Sequence, residues 1–439
     1  HSPVELLVCK MAVPTIITML ITALYNMADT YFVGRLDTVS TAAVGLALPL
    51  MNVIQAIGFF FGHGSGNYMA RKLGEGDVKA SAQMADTAAV LSLMMGVILS
   101  LLGYMNIRPL SQLLGATPLL MESTVEYVSV LLIGIPFVMA SFTMNNQLRF
   151  QGNAFYGMIG MASGAVLNVI LDPVFIFILG MKVRGAALAT VSSQIISFMV
   201  LLVMSGRIPF RKPDFVLNGE IVSAIFRFGT PSLFRQSIMS VSFICLNHAA
   251  GNFGEAVIAA VSVVNKIVMI GASVVIGFGQ GFQPVCSYCF GAGLYNRVKK
   301  ACWFCIRIST IILLVLSVIC FPASHAIISL FRRNDPVVIE IGTLALRMQL
   351  LTLPLQGTVI MGNMMPQSIG YGFRATLVST ARQGIFLIPL LIVLTLSLGL
   401  LGIQCAQPLA DIATFLLALF VIRGIFKEFP EDVSSSAAQ

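Results

Sequence analysis

The stretch from residue 25 to residue 34 reads Tyr-Asn-Met-Ala-Asp-Thr-Tyr-Phe-Val-Gly. It closes an apolar run that opens near Met11, so Asp29 lies inside a segment long enough to cross a membrane. An aspartate at the centre of such a helix costs about 2.5–3.5 kcal/mol on insertion scales. Asp29 is therefore a candidate binding group for an ion, a proton or a substrate, or else it lies near the helix end and reaches the membrane interface.

The composition of the whole chain is that of a protein embedded in a lipid bilayer. Of its 439 residues, 57% are hydrophobic and 10% are charged, whereas about 25% of residues are charged in a typical soluble domain. The net charge of +8 comes from Lys and Arg residues scattered through short loops. That distribution is typical of topology signals, so we expect no nucleic-acid partner.

Hydropathy predicts an all-α polytopic membrane protein with twelve transmembrane helices. The predicted ranges are 11–33, 41–68, 83–104, 122–146, 155–179, 185–206, 229–250, 256–284, 301–321, 337–364, 374–398 and 402–424. With both termini on one side of the membrane, that side holds fifteen of the 26 Lys and Arg residues, and the opposite side holds six. The positive-inside rule then predicts that both termini are cytoplasmic.

The chain repeats itself, with the connection between the sixth and seventh helices as the dividing point. Many glycine and proline positions of the first half recur about 217 residues later. The matched pairs include Pro14 with Pro231, Gly34 with Gly251, Gly62 with Gly279, Gly74 with Gly291 and Gly76 with Gly293. We therefore predict two pseudo-symmetric six-helix lobes, 1–208 and 229–439, joined by a cytoplasmic linker, 209–228. Parallel repeats of this kind are typical of secondary transporters.

A second embedded acid, Asp172, lies in the fifth predicted helix, where Asn168 precedes it by one helical turn and Pro173 follows it. Both acid-bearing helices run outward, and each acid lies five to eight residues before a turn glycine. We therefore expect Asp29 and Asp172 to lie at similar depth. Two neighbouring carboxylates in a low dielectric cannot both be ionised cheaply without a cation. The pair is thus a predicted proton or sodium switch, with a local capping role before Pro173 as the alternative for Asp172.

These residues resemble the multidrug and toxic compound extrusion (MATE) transporters, and in particular their DinF-like bacterial branch. Members of that branch carry an Asp in the first helix with a Tyr one turn earlier, as Asp29 and Tyr25 stand here. Their fifth helix carries Asn-x3-Asp-Pro, which matches Asn168, Asp172 and Pro173. The resemblance covers essentially the whole chain, including the two six-helix halves.

The resemblance implies further site residues and a function. It adds Thr190 of the sixth helix to the polar cluster, and it implies a hinge at Pro14 in the first helix. If the coupling ion is Na⁺, the implied ligands are Asp29, Asn168, Asp172 and Thr190. The implied activity is export of amphiphilic, often cationic compounds in exchange for H⁺ or Na⁺, by a protein of the bacterial cytoplasmic membrane. We expect a monomer that needs no cofactor beyond the coupling ion.

The second half lacks the acids that another MATE branch carries in its seventh and tenth helices, apart from Glu340 near an outer helix end. We therefore place the ion site in the first half. The second half does contain a set of unusual membrane residues, which we group as a candidate polar cavity: Asp411, Arg382, Lys266 and Asn265. A structural ion pair between Asp411 and Arg382 and a role in substrate passage are both open at this stage.

Other function classes fit the sequence less well. A flippase for lipids or lipid-linked sugars has the same two-lobed fold, but such relatives are rich in cavity arginines and this chain has few within its helices. Two Cys-x2-Cys pairs, at residues 286–289 and 302–305, resemble a zinc site in spacing, but they sit in apolar sequence without a His and favour packing. No nucleotide loop, His-rich metal set or Ser-His-Asp pattern indicates an enzyme.

Overall fold

The computed structural model describes residues 3–206, 215–331 and 335–431, and nearly all of them are helical. The helices within those ranges are α1 (Val4–Val33), α2 (Thr38–Leu46), α3 (Leu48–Gly74), α4 (Val78–Met105), α5 (Ile107–Leu113), α6 (Met121–Phe150), α7 (Ala154–Pro173), α8 (Lys182–Gly206), α9 (Gly219–Gly251), α10 (Glu255–Gly291), α11 (Tyr295–Phe331), α12 (Pro336–Thr352), α13 (Gln356–Ile369), α14 (Gly372–Thr380), α15 (Leu387–Leu398) and α16 (Leu400–Glu428). The predicted all-α, multi-span fold class is confirmed.

Eleven helical segments in the described part of the chain are long and apolar enough to cross a membrane. They correspond to eleven of the twelve predicted helices. The remaining predicted helix, 229–250, lies within α9, which is 33 residues long. Its polar residues, among them Arg235, Gln236, Asn247 and His248, lower its hydropathy although its length is ample.

Four of the predicted spans are not regular α-helices throughout. Ala47 separates α2 from α3, a π-helical turn (Val174–Ile178) follows α7, a 3₁₀ turn (Leu353–Leu355) separates α12 from α13, and a second π-helical turn (Ala381–Phe386) separates α14 from α15. A proline lies at or within three residues of each break. Proline lacks the N–H group that continues the helical hydrogen bonding, so the backbone leaves the α-helical pattern there.

The predicted linker, 209–228, is longer than the connection in the structure. Residues 207–214 lie outside the described part of the chain, and α9 already begins at Gly219. Residues 219–228 are therefore helical, which corrects the predicted start of the seventh helix at 229. Hydropathy missed this extension because Glu220 and Arg227 interrupt the apolar run near the start of α9.

The chain forms two compact units whose borders differ from those of the predicted lobes. The N-unit comprises residues 17–233, and the C-unit comprises residues 1–16 and 234–439. The N-terminal part of α1, up to residue 16, thus belongs to the C-unit. The N-terminal part of α9, up to residue 233, belongs to the N-unit. Hydropathy could not predict this, because it detects where a helix begins and ends but not which neighbours it packs against.

Glycines account for the way these half-helices pack within each unit. In the C-unit, a Cβ on Gly281 of α10 would lie 2.4 Å from the Cα of Ala12 in α1. In the N-unit, a Cβ on Gly64 of α3 would lie 2.7 Å from the carbonyl oxygen of Ile225 in α9. Gly64 and Gly281 are partners in the internal repeat, since they are 217 residues apart. The same close helix contact is therefore used once in each unit.

Candidate functional site

Helix α7 of the N-unit carries two polar side chains one turn apart, Asn168 and Asp172. Both are essentially inaccessible, with 1% and 0% of their surfaces exposed. Pro173 directly follows Asp172 and has no N–H group to donate to the carbonyl of Val169. The helix accordingly changes to a π-helical turn at Val174. Irregular backbone within a membrane span is tolerated where protein or a water-filled cavity surrounds it.

Helix α1 brings Tyr25 and Asp29 to the same place. The carboxyl groups of Asp29 and Asp172 approach closely enough for a hydrogen bond. A hydrogen bond would form between them only with a proton on one of the two groups, because a carboxylate oxygen can only accept. Tyr25 interacts electrostatically with both acids. The structure therefore brings the two predicted acids together, along with the tyrosine that precedes Asp29 by one turn.

The oxygen atoms of this cluster are poorly satisfied. Both carboxylate oxygens of Asp172, one of Asp29 and the amide oxygen of Asn168 are buried and receive no hydrogen bond from the described residues. A buried polar oxygen without a donor costs about 1–3 kcal/mol, and more if it is charged. Four such oxygens in one cluster form a site that a proton or a small cation would satisfy.

Thr190 of α8 contacts the cluster through Asn168. The side-chain amide of Asn168 donates to the hydroxyl oxygen of Thr190 over 3.4 Å, a long hydrogen bond. In this orientation the amide N–H group of Asn168 is bonded to Thr190, and the amide oxygen of Asn168 has no hydrogen-bond donor among the described residues. The four residues proposed as sodium ligands on the basis of family resemblance thus lie in one cluster, while their role in ion binding stays a prediction.

Sequence reasoning missed Tyr127, which belongs to the same group. It lies on α6, is 6% exposed and interacts electrostatically with Asp29, Tyr25 and Asp172. In the sequence it follows Glu126 near the start of a predicted helix, where a tyrosine is typical of the membrane interface. The sequence around Tyr127 therefore gave little indication that it is buried near the two acids. Most residues of the apolar stretch of α6 are buried in the protein, and this packing places Tyr127 near the acids.

The predicted hinge, Pro14, lies fifteen residues before Asp29 on the same helix. It lies inside α1 but in the part of that helix that belongs to the C-unit. Asp29 lies in the part that belongs to the N-unit. The helix is continuous through Pro14, so the hinge role stays a prediction.

The C-unit holds one embedded acid whose surroundings are very different. Asp411 accepts from the Nε of Arg382 at 2.7 Å, from Gln407 at 3.0 Å and from Thr352 at 3.4 Å. Its side chain is 2% exposed, against 24% for Arg382. The ion pair between Asp411 and Arg382, one of the two readings left open by the sequence, is present.

The other two members of the predicted C-half cavity are not part of this arrangement. Lys266 is exposed, Asn265 is half-buried, and no hydrogen bond or ion pair joins either of them to Asp411 or Arg382. The four residues therefore do not form one hydrogen-bonded group. The sequence grouped them as a candidate polar cavity because all are rare in membrane helices, and rarity alone carries no information on which helix faces meet. That the four line one cavity stays a prediction.

The four cysteines with zinc-like spacing are buried in the apolar core of the C-unit, at Cys286, Cys289, Cys302 and Cys305. Among the described residues, no three His, Cys, Asp or Glu side chains are arranged to hold a metal ion. All four cysteines pack against apolar side chains of that core.

Comparisons with known proteins agree with this architecture. The profile of the MatE family matches residues 14–174 and 231–393. The multidrug export protein MepA of Staphylococcus haemolyticus (strain JCSC1435) is 28% identical over 429 residues, which cover 97% of this chain and 94% of that protein. MepA of Staphylococcus saprophyticus is 29% identical over 420 residues, which cover 94% and 92%. These relatives are named as export proteins and not as enzymes.

Two solved structures resemble the whole chain. A MATE protein in its straight conformation superimposes with a TM-score of 0.93 at 26% identity, covering 98% of this chain and 97% of that one. A MATE protein in its bent conformation superimposes with a TM-score of 0.91 at 26% identity, covering 100% and 98%. The predicted twelve-helix, two-lobed fold class is thus supported over essentially the full length.

Proposed function

Because this chain belongs to the MatE family, we propose that it is a secondary active antiporter. In this proposal it exports amphiphilic, often cationic small molecules in exchange for H⁺ or Na⁺, by alternating access. The multidrug export activity named for its MepA relatives supports the substrate class. Its place would be the bacterial cytoplasmic membrane, with both termini in the cytoplasm.

The observation that carries the proposal is the set of unsatisfied oxygens around Asp172. A buried carboxylate kept only for stability would be expected to have donors, as buried charges generally do. Asp172 has none among the described residues. A transported proton or cation that binds and leaves would supply the missing partner in one state and withdraw it in another.

The proposed cycle follows from charge. With the coupling ion absent, Asp29 and Asp172 carry negative charge that attracts a cationic substrate. Binding of H⁺ or Na⁺ from outside cancels that charge, so the substrate loses affinity and leaves. A bend of α1 at Pro14 would link this change to the exposure of the site, and solved relatives in straight and bent conformations support such a motion.

The chemistry of the cluster is compatible with either ion. Carboxylate, amide and hydroxyl oxygens are hard ligands that suit Na⁺, whereas two adjacent carboxyl groups can share one proton. We favour H⁺ because the two carboxyl groups already lie within hydrogen-bonding distance of each other.

Transport in vesicles tests the proposal. Purified protein is reconstituted into vesicles loaded with the cationic dye rhodamine 123, and a pH gradient or a sodium gradient is imposed separately. We expect one of the gradients, and the proton gradient in particular, to drive dye movement above that in protein-free vesicles. Dye movement that neither gradient changes would contradict coupled antiport, and gradient-independent flipping of a fluorescent phospholipid would indicate the flippase alternative.

A further inference from the structure

We propose that Arg382 binds an anionic group of the exported molecule, so that the C-unit selects amphiphiles that carry a carboxylate as well as a cationic group. This inference rests on the proposed export function and adds a substrate class to it. Its basis is the position and hydrogen bonding of a single guanidinium group in the C-unit.

Arg382 lies deep in a membrane span. It is eight residues beyond Arg374, near the start of the segment Gly372–Leu398, and eight residues of helix correspond to about 12 Å. Its partner Asp411 lies eleven residues after Leu400, the first residue of α16. Tied to Asp411 through Nε at 2.7 Å, the guanidinium is held within the span instead of reaching back to the cytoplasmic interface.

Asp411 fixes the orientation of that guanidinium. The carboxylate oxygen that accepts from Arg382 also accepts from Gln407, and the other oxygen accepts from Thr352. Each oxygen of the carboxylate thus has at least one donor, and these hydrogen bonds hold it in place. It holds the Nε edge of the arginine and leaves the two amino groups pointing elsewhere.

Those two amino groups are the binding surface. Neither makes a hydrogen bond to a described residue, and neither is among the buried polar atoms without a partner, so both are accessible. Lipid contact at this depth would be costly for a charged group. The amino groups therefore require water or a polar ligand, and paired N–H groups of arginine match the two oxygens of a carboxylate.

The backbone is irregular at or beside two of the three residues of this group, Arg382 and Thr352, whereas α16 is continuous through Pro408. Arg382 lies in the π-helical turn Ala381–Phe386, Thr352 immediately precedes the 3₁₀ turn Leu353–Leu355, and Asp411 follows Pro408 by three residues. Such interruptions of membrane helices often occur at ligand sites and line cavities. The N-unit has the same association, because a π-helical turn follows Asp172.

The charges of the two sequence halves support an anionic ligand in the C-unit. The five basic residues that lie inside predicted helices and away from the helix ends all belong to the second half: Arg235, Lys266, Arg307, Arg347 and Arg382. The acids there are fewer, with Asp411 already paired.

Equilibrium binding of two matched dyes tests this inference without any transport. Rhodamine 110 has a free carboxylate, and rhodamine 123 is its methyl ester. Binding of each to the purified protein, in detergent free of anionic lipid, is followed by fluorescence anisotropy. We expect the wild type to bind rhodamine 110 more tightly than its ester. The double variant Arg382→Gln with Asp411→Asn should lose about tenfold in affinity for rhodamine 110 and little for rhodamine 123.

Two further variants separate recognition from folding. Arg382→Lys keeps the charge but not the paired N–H groups, so it should retain only part of the preference for the carboxylate. Arg307→Gln removes an exposed arginine of the same unit and should leave the preference intact. Equal binding of the two dyes by the wild type, no binding of either, or an equal loss for both in the double variant would each overturn the inference. A failure of gradient-driven transport alone would instead count against the proposed antiport.

Discussion

Each unit contains a buried aspartate, Asp172 in the N-unit and Asp411 in the C-unit, and the two differ in their hydrogen bonding. Asp172 of the N-unit receives no hydrogen bond from the described residues, whereas Asp411 of the C-unit receives three, one of them from an arginine. A satisfied carboxylate is stable but has no capacity for a further ligand. An unsatisfied one is costly, and that cost is the free energy available for binding a cation. The difference teaches that burial of an acid in a membrane span does not by itself identify an ion site, while its hydrogen bonding does.

The largest expected effect concerns transport. Asp172→Asn removes a negative charge from the cluster, so gradient-driven export of rhodamine 123 from vesicles should fall to the level of protein-free vesicles. Glu340→Gln is a matched control, because Glu340 is exposed near the N-terminal end of α12 and has no place in the cluster. Export by Asp172→Asn at the wild-type rate would contradict the assignment of Asp172 to the ion site.

For the stability of the folded protein, we expect a larger effect from substituting Asp411 than from substituting Asp172. Asp411→Asn leaves Arg382 without its counter-charge, and breaking a buried pair from one side costs about 3 kcal/mol. Asp172→Asn removes an unpaired buried carboxylate and should leave the protein equally stable or more stable. Thermal unfolding of the purified variants in detergent measures both. A large drop for Asp172→Asn, with none for Asp411→Asn, would reverse the assignment of functional and structural acids.

Much of this comparison could be predicted from the sequence, and part of it could not. Hydropathy gave the spans, and the one-turn spacing of Asn168 and Asp172 gave their shared face, because helix periodicity is a local property. The pairing of Asp411 with Arg382 could be anticipated only as one of two readings. Whether an oxygen is satisfied depends on side chains from several helices, such as Gln407 and Thr352, and no local pattern specifies those contacts.

The packing of half-helices was also beyond sequence reasoning. Pro14 and Pro231 were recognised as equivalent positions in the two repeats, but not as lying two to three residues before the points where α1 and α9 pass from one compact unit to the other. Gly64 and Gly281, which allow these half-helices to pack closely, cannot be distinguished by sequence alone from other glycines in membrane helices. Tyr127 was missed for the same reason, since only the packing of α6 brings it to the acids.

A smaller effect is expected at Thr190, which contacts the cluster through one long hydrogen bond. Thr190→Val keeps the shape of the side chain and removes the hydroxyl oxygen, so the ion concentration needed for half-maximal export should rise about tenfold or less. The measurement is a titration of export rate against pH or Na⁺ in vesicles. If Thr190→Val abolished coupling while Asp172→Asn spared it, the N-unit site would have to be redrawn around α8.

The smallest effect is expected at Tyr127, which faces the acids without a hydrogen bond to them in this structure. Tyr127→Phe removes its hydroxyl group while the ring stays buried, and the apparent ion affinity should change by about threefold. The same titration measures it, with the exposed Tyr104→Phe as the control. A loss as large as that of Asp172→Asn would place Tyr127 among the ion-binding groups.

The most direct test of the account is whether the coupling ion and the substrate oppose each other at equilibrium. Rhodamine 123 binding to purified protein is measured over a range of pH at fixed Na⁺, and over a range of Na⁺ at fixed pH. The account predicts that wild-type affinity falls as one of these ions is added, and that the double variant Asp29→Asn with Asp172→Asn binds the dye independently of both. Wild-type binding indifferent to both ions, or an ion dependence that survives in the double variant, would contradict it.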